Sequence, residues 1–408
     1  MMPKVKLLFD VEQLSADGLR GTGIVRVCDV LLELLSKSND LDIYPIITSK
    51  RGNFETYLQA KGLVKQFKNK IVYMPKLKST TKNQGIYQQV RTKLLSRIYA
   101  WKYNNQLKQY DAYLSMFSPI SPVVYESGLK TFMIVHDLIP IVYPDSCEPK
   151  FVEKFTDWIK RSHPDVYFCD SEYTAKDLMR FKPEVTVVPK YTLYLGADEN
   201  KFKPIEDAEN IAQVKERYGI KTEKYFLAVS EITARKNLVH LLQAFETFMN
   251  STETNDISLV LVGPVRKGYT DVEEQVKGLN KYKDRIVLTD FVDNEDLAPL
   301  YSGATAFIYP SLYEGFGLPV LEAMQCGTPV ITCNNTSLPE VGGDAVLYVS
   351  GKDINETALM LNRIYQDKNL QQTLKTKGFE RSKIFNWQKT ADIVINAVVN
   401  KVRGEKND

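Results

Sequence analysis

The strand-like run from Ala306 to Tyr309 leads into Tyr309-Pro-Ser-Leu-Tyr-Glu314-Gly315-Phe316-Gly317-Leu318-Pro319, and the residues from Pro319 to Gly327 have the pattern of a helix. Pro319 suits the first helical position, where its missing N–H costs nothing, and Gly327 suits the end. Before Pro319, the glycines let the backbone approach a ligand closely, and the unpaired amides at the helix start form an anion site fit for a diphosphate. Glu322 is expected in the first helical turn and Glu314 in the preceding loop, so two carboxylates border one pocket at different depths. Carboxylates accept hydrogen bonds from hydroxyl groups, so one can grip a ribose diol and the other a sugar's hydroxyls. The bland alternative is an ordinary strand-turn-helix whose glutamate is favoured by the helix dipole.

Other polar residues stand at strand ends. His136-Asp137 follows the run Thr131 to Val135, and Asp170-Ser171 follows Asp165 to Cys169. In open α/β sheets ligands bind beyond the carboxyl ends of strands, which makes both ends candidates; Ser171 reads equally well as a helix cap. Gly21-Thr22-Gly23 lies between the opening strand, Val5 to Phe9, and a helix whose apolar positions are Ile24, Val27, Cys28, Leu31 and Leu35. Arg26 occupies the place where a dinucleotide-binding GxGxxG needs its third glycine, which removes the main support for an oxidoreductase.

These loops need elements to hold them. Strand-like runs alternate with helical periodicity along the whole chain, the pattern of parallel sheets flanked by helices, so the fold class is α/β. With 408 residues the chain exceeds what one core usually supports. The alternation restarts at Tyr225 to Val229, with Asn237 as the expected cap of a helix carrying Leu238, Leu241, Leu242 and Phe245 on one face. Further strands are read at Ser258 to Val262, Arg285 to Leu288, Ala306 to Tyr309 and Pro329 to Thr332. The linker falls near Leu195 to Pro204. The expected division is a domain over 1–200, a second over 201–385, and a C-terminal helix over 386–408 that returns toward the first.

Composition excludes several classes. The five cysteines are odd in number and lack CxxC spacing, which argues against disulfides or zinc, and three histidines make a multi-histidine metal centre improbable. No apolar run approaches the ~20 residues that span a bilayer, and the N-terminus reads as a strand rather than a signal peptide, so a cytoplasmic protein is expected.

Glu314, seven residues and then Glu322, embedded in EGFGLPVLEAMQCGTPVI, resembles the signature of retaining glycosyltransferase family 4. SEITARKN at Ser230 to Asn237, LVLVGP at Leu259 to Pro264 and LTDFVDNEDLAPLYSGA at Leu288 to Ala304 follow in the family's order, and GTGIVRV, HDLIPI and DSEYTAKDL extend the likeness to the N-terminal half. The resemblance implies a GT-B fold, two Rossmann-like domains facing each other across a deep cleft. It implies that Arg235 and Lys236 bind the donor diphosphate and stabilise it as it leaves, consistent with two cations in a loop after a strand, which can do this without a metal ion; an exposed basic turn is the alternative. It implies that Gly21, Thr22 and Gly23 meet the same phosphates from the opposite domain and that His136 reaches the donor sugar. Asp137 and Ser171 are further candidates for the pocket, and Gly315, Phe316, Gly317 and Leu318 line its phosphate side. Phe291 and Val292, with Asp293, are implied to lie beside the nucleobase through backbone groups. Ser230 departs from the glycine many relatives have before the RK loop.

The implied reaction moves a hexose from a nucleotide sugar, the only small co-substrate expected and with no metal, to a glycan or lipid-linked glycan, retaining configuration. HDLIPI and DSEYTAKDL look like bacterial mannosyltransferases of O-antigen and capsule assembly, which favours GDP-mannose over a UDP-sugar. Competing readings are an epimerase or phosphorylase on the same fold and a non-catalytic nucleotide-sugar-binding partner.

From Thr56 to Tyr110 there is no Asp or Glu, while ten lysines and two arginines occur between Lys61 and Lys108. Val90, Leu94, Ile98 and Trp101 recur at helical spacing among Arg91, Lys93, Arg97 and Lys102. One reading is an interfacial helix that docks on an anionic membrane surface; the other is a solvated basic helix with its apolar face in the core. Aromatics interleave with the cations, but no nucleic-acid-binding motif accompanies them, so no nucleic acid partner is expected.

Overall fold

The computed structural model describes residues 2–15, 23–48, 52–74, 101–265, 270–278 and 281–404. Its strands form two parallel sheets. The first contains β1 (Val5–Asp10), β2 (Leu41–Ile47), β3 (Val72–Tyr73), β4 (Ala112–Ser115), β5 (Lys130–Val135), β6 (Val166–Cys169) and β7 (Lys190–Thr192), in the order β3-β2-β1-β4-β5-β6-β7. The second contains β8 (Lys224–Val229), β9 (Ile257–Val262), β10 (Ile286–Thr289), β11 (Ala306–Tyr309), β12 (Val330–Cys333) and β13 (Leu347–Val349), in the order β10-β9-β8-β11-β12-β13.

Helices cover both faces, which is why central strands such as Ile257–Val262, Ala306–Tyr309 and Val330–Cys333 are buried at every position. They are apolar but for Ser258 and Thr332, which are themselves buried, so no in-out alternation appears. The helix Gly23–Ser36 lays Val27, Cys28, Leu31, Leu32 and Leu35 on the first sheet, and Leu238–Thr252 lays Leu241, Leu242, Phe245, Phe248 and Met249 on the second.

Strand order reverses between β1 and β4 in the first sheet and between β8 and β11 in the second. At such a switch point the connections leave on opposite faces and a crevice opens beyond the strand ends. The loop after β8 carries Arg235 and Lys236, and the loop after β11 carries Glu314. Topology therefore brings them side by side although they are separated by almost eighty residues.

No strand or helix occurs between Leu193 and Asp207, where the chain passes from one sheet to the other. The last helix, Trp387–Arg403, starts where Asn386 accepts the backbone N–H groups of Gln388 and Lys389. It packs on the helix Gly23–Ser36 of the first domain, its Thr390 hydroxyl donates to the Tyr194 carbonyl at 2.6 Å, and Arg403 lies 3.5 Å from Asp40. Gly196 has no room for a side chain, because a Cβ there would stand 2.7 Å from the Trp387 nitrogen.

Asn237 does not cap its helix. It takes a left-handed conformation (φ 60°), and its side-chain amide donates instead to the carbonyls of Pro310 at 3.3 Å and Gly351 at 2.8 Å, tying the Arg235-Lys236 turn to the neighbouring loops. The basic helix read around Val90, Leu94, Ile98, Arg91, Lys93 and Arg97 lies outside the described residues, as do Gly21 and Thr22. Trp101, at the edge of that stretch, is 71% exposed.

Candidate active site

The loop after β11 turns Glu314 inward until its side chain is 11% exposed. A bare carboxylate so placed would be unstable, and four donors meet it on one oxygen: Arg235 Nη1 at 2.7 Å, Lys236 Nζ at 2.5 Å, the Tyr309 hydroxyl at 2.9 Å and Ser311 Oγ at 2.6 Å. Oε2 accepts no hydrogen bond from the described residues. Arg235 also donates to the Tyr313 carbonyl, and Lys236 sits over the Tyr309 ring, 4.8 Å from its centroid.

Two buried cations thus share one carboxylate. Burial raises the Glu314 carboxyl pKa, but Arg235 and Lys236 outweigh it and bring it to about 2. Burial pulls the Lys236 ammonium down to about 8, against the attraction of Glu314 and with the repulsion of Arg235. The surplus positive charge favours an incoming anion.

A pH dependence follows from Lys236. Its ammonium is largely protonated at neutral pH and loses its charge as pH rises through about 8. Nucleoside diphosphate affinity should therefore decline above that pH, by up to about tenfold per unit, as the single proton is lost. Titration calorimetry from pH 7 to 9.5 measures this, and Lys236→Arg should flatten the decline; an equally steep decline in that variant would remove Lys236 from the binding site. The stability effect has the opposite sense. Because this pKa lies below that of an unfolded lysine, the unfolded chain binds the proton more tightly, and the penalty for keeping Lys236 charged is relieved above pH 8.

Gly315 is one of the points where the two domains touch. A Cβ at this position would lie 2.0 Å from the His136 carbonyl oxygen and 2.9 Å from Asp137 Cβ. Thr174 Oγ1 donates to the Gly315 carbonyl at 3.2 Å, the Tyr313 hydroxyl donates to Asp177 at 2.7 Å, and Glu340 accepts the N–H groups of Glu172 and Tyr173 at 2.8 and 2.7 Å. A carboxylate of the second domain thereby satisfies the free amides that open the helix Glu172–Phe181.

His136 differs from the sequence reading. Its ring is 4% exposed, with Nδ1 2.8 Å from Asp170 and Nε2 2.8 Å from the Met116 carbonyl. Burial disfavours its charged form, but Asp170 outweighs burial and raises its pKa. Both partners are acceptors, so both ring nitrogens donate, and no nitrogen is left for a sugar hydroxyl. Of the two readings of Ser171, the structure shows the helix cap. Ser171 is fully buried and caps the helix that follows, its hydroxyl accepting the Thr174 N–H at 3.0 Å. Asp137 accepts the Ile139 N–H at 2.8 Å, shaping the loop beside Gly315.

Gly317 precedes the helix Leu318–Gln325 with φ 116°, a conformation that favours glycine. Pro319 is its second residue. Phe316 is buried against Tyr194 and Phe385. Gly23 faces Leu318 from the first domain, a Cβ there lying 3.6 Å from Leu318 Cδ1. Phe291 is 72% exposed, whereas Val292 is buried.

Glu322 lies beyond the first turn, which contains no acid. Its side chain is 5% exposed, Oε1 pairs with Arg26 of the first domain, and Oε2 accepts the Tyr301 hydroxyl at 3.3 Å. Both oxygens are occupied, so a ribose diol would have to displace one of these partners. In the sequence Arg26 bears only on the missing third glycine of a dinucleotide motif, and its pairing with Glu322 is not legible there. Its signal was a cation flanking the apolar stripe of a helix that must pack against something.

Residues 210–381 match the family model described as glycosyl transferases group 1. That stretch, less than half of the chain, is similar to a group 1 glycosyl transferase domain. It contains Arg235, Lys236, Glu314 and Glu322, while His136, Gly23 and Arg26 lie outside the match. Over 184 residues the chain is 36% identical to O-antigen chain mannosyltransferase B of Escherichia coli, covering 45% of this chain and 48% of that one. It is 27% identical over 284 residues to the serotype-specific mannosyltransferase WbdA of Escherichia coli, 68% and 34% of the two chains. It is 30% identical over 220 residues to O-antigen chain mannosyltransferase RfbU of Salmonella typhimurium, 54% and 56%. The matches thus span about half or less of the length of the first of these relatives. Among solved structures, Anabaena HepE in complex with UDP and glucose aligns with a TM-score of 0.69 at 16% identity, covering 97% and 99% of the two chains. WaaG, a glycosyltransferase involved in lipopolysaccharide biosynthesis, aligns at 0.65 and 12% identity, covering 97% and 99%. The two domains together form a GT-B fold.

Proposed function

We propose that the protein moves a hexosyl group from a nucleotide sugar to a hydroxyl of a glycan or lipid-linked glycan, retaining anomeric configuration. The observation that carries this reading is the buried cluster of two cations and one carboxylate at the switch point of the second domain. Arg235 and Lys236 hold the diphosphate and neutralise the charge that grows on it as it departs, a task that otherwise needs a metal ion. Oε2 of Glu314 holds the donor sugar through a hydroxyl. The departing phosphate itself helps to take the proton from the incoming hydroxyl, so no residue is assigned as a covalent nucleophile. His136 acts as a positioning residue, fixing the loop that meets Gly315.

Mannose from GDP-mannose is the donor we favour, since the three relatives described above are named as mannosyltransferases. We place the reaction in the cytoplasm, at an anionic membrane surface met by the acid-free stretch 61–108. Among the described residues no helix is long and apolar enough to cross a membrane. Metal independence also belongs to this proposal.

Thermal unfolding with a panel of nucleotide sugars tests the donor assignment. A donor at one hundred times its Kd should stabilise the protein by about 2.7 kcal/mol, in chelator as in its absence. GDP-mannose is expected to shift Tm most. A larger shift with a UDP-sugar would overturn the donor, and no shift with any nucleotide sugar would overturn the function.

A further inference from the structure

Beyond β12 and β13 lies a cavity of about 430 Å³ that the chemistry above does not use. Its walls come from both domains. Leu312, in the loop that carries Glu314, lines it from one side, and Tyr143 lines it from the first domain, at the end of the helix Ile139–Val142 that follows His136 and Asp137. The cavity thus adjoins the proposed reaction centre through the two loops that meet there.

The polar groups converging on this cavity are unspent. Among the described residues, the Tyr143 phenol, the Asn334 amide and the Lys352 ammonium make no hydrogen bond or ion pair. Glu356 accepts the Ser350 N–H at 2.7 Å through Oε2, which leaves Oε1 for a ligand. A phenol, an amide, an ammonium and a carboxylate oxygen suit a ligand dense in hydroxyls, and the Tyr143 ring offers an apolar wall for the C–H face of a sugar. Lys352 and Glu356 cancel in charge, so a phosphate gains little here, in contrast to the cationic surplus around Arg235 and Lys236. The walls are also braced: Asn335 donates to the Ser311 and Leu312 carbonyls, each at 3.2 Å, and Asn237 holds Gly351.

We propose that this cavity is a subsite for a neutral glycan segment of the acceptor. The assignment rests on the transferase reading and adds to it where the growing chain lies, between Tyr143 and Lys352. The size suits one or two sugar rings, so the site would grip residues of the acceptor next to the one that reacts.

Saturation-transfer NMR with an α-linked mannotriose and with maltotriose tests the subsite, with GDP and UDP affinities titrated on the same samples. One trisaccharide should bind the wild-type protein. Asn334→Ala, Lys352→Ala and Tyr143→Ala should each weaken it roughly fivefold or more, as expected for the loss of one hydrogen bond. Nucleotide affinity should stay within about twofold, since none of these three side chains hydrogen-bonds Arg235, Lys236 or Glu314. Asn334 and Lys352 are exposed, so their variants keep the test independent of folding. Trisaccharide binding unchanged in all three variants, or absent while nucleotide binds, overturns the subsite. Trisaccharide binding that these variants weaken, in a protein that binds neither nucleotide, upholds the cavity and overturns the transferase reading.

Discussion

Lys236→Ala is expected to lower kcat by roughly two to three orders of magnitude, the loss typical of removing one charged group that stabilises a transition state. Its melting temperature should change little. The reason lies in the charge count: removing Lys236 leaves Arg235 and Glu314 as a matched pair at 2.7 Å. Glu314→Ala is different, because it leaves two cations buried together without their shared carboxylate. Breaking such a buried pair from one side costs about 3–5 kcal/mol, so that variant should lose stability as well as turnover. Steady-state kinetics and thermal unfolding of the two variants separate the effects. Wild-type turnover in Lys236→Ala would remove the cluster from the reaction, and a Glu314→Ala protein as stable as the parent would show that the cations are not buried as described.

The second large effect is expected at Gly315. A methyl group there cannot coexist with the His136 carbonyl at 2.0 Å, so the loops of the two domains must separate by more than 1 Å. Misplacement of that size costs about 10²-fold in rate when reacting groups approach from both sides. Gly315→Ala should therefore lose turnover while GDP affinity changes only a few-fold, because the diphosphate is held by Arg235 and Lys236 from one domain. Parallel measurement of kcat and of GDP binding decides this. Unchanged kcat would mean that the contact between Gly315 and His136 is not kept during the reaction.

Much of this site was legible because local chemistry marks it. Glycines, a proline and two glutamates between a strand and a helix announce a loop built for a ligand, and a paired Arg-Lys after another strand announces an anion. The partners of these groups were harder to read. Tyr309 and Ser311 donate to Glu314 through a turn whose geometry depends on the fold, and Arg26 meets Glu322 across almost three hundred residues. Ser171 and His136 stand at strand ends where ligands bind, yet each spends its polar atoms on its own domain, a choice that no spacing reveals. The sheets were partly legible for a similar reason. Buried strands such as Ala306–Tyr309 show as short runs of apolar and aromatic residues, but β2 contains Pro45, which sequence patterns disfavour inside a strand. The Ile46 carbonyl faces β1, where it accepts the Val11 N–H, so Pro45 turns its nitrogen the other way. On that side β3 pairs only with Ile46 and Ile47, and no hydrogen bond is lost. The short strands β7 and β13 have too few residues to show a period.

NMR of the reaction mixture tests the central claim most directly. Protein, GDP-mannose and the trisaccharide that binds best are incubated in chelator, and the anomeric signals of the product are followed. The account predicts GDP release matched by a new α-glycosidic linkage, the configuration of the donor preserved, and both lost in Lys236→Ala. A β-linked product would contradict retention. GDP release accompanied only by free mannose, or no turnover with any nucleotide sugar and oligosaccharide tried, would contradict transfer between the two walls of the cleft.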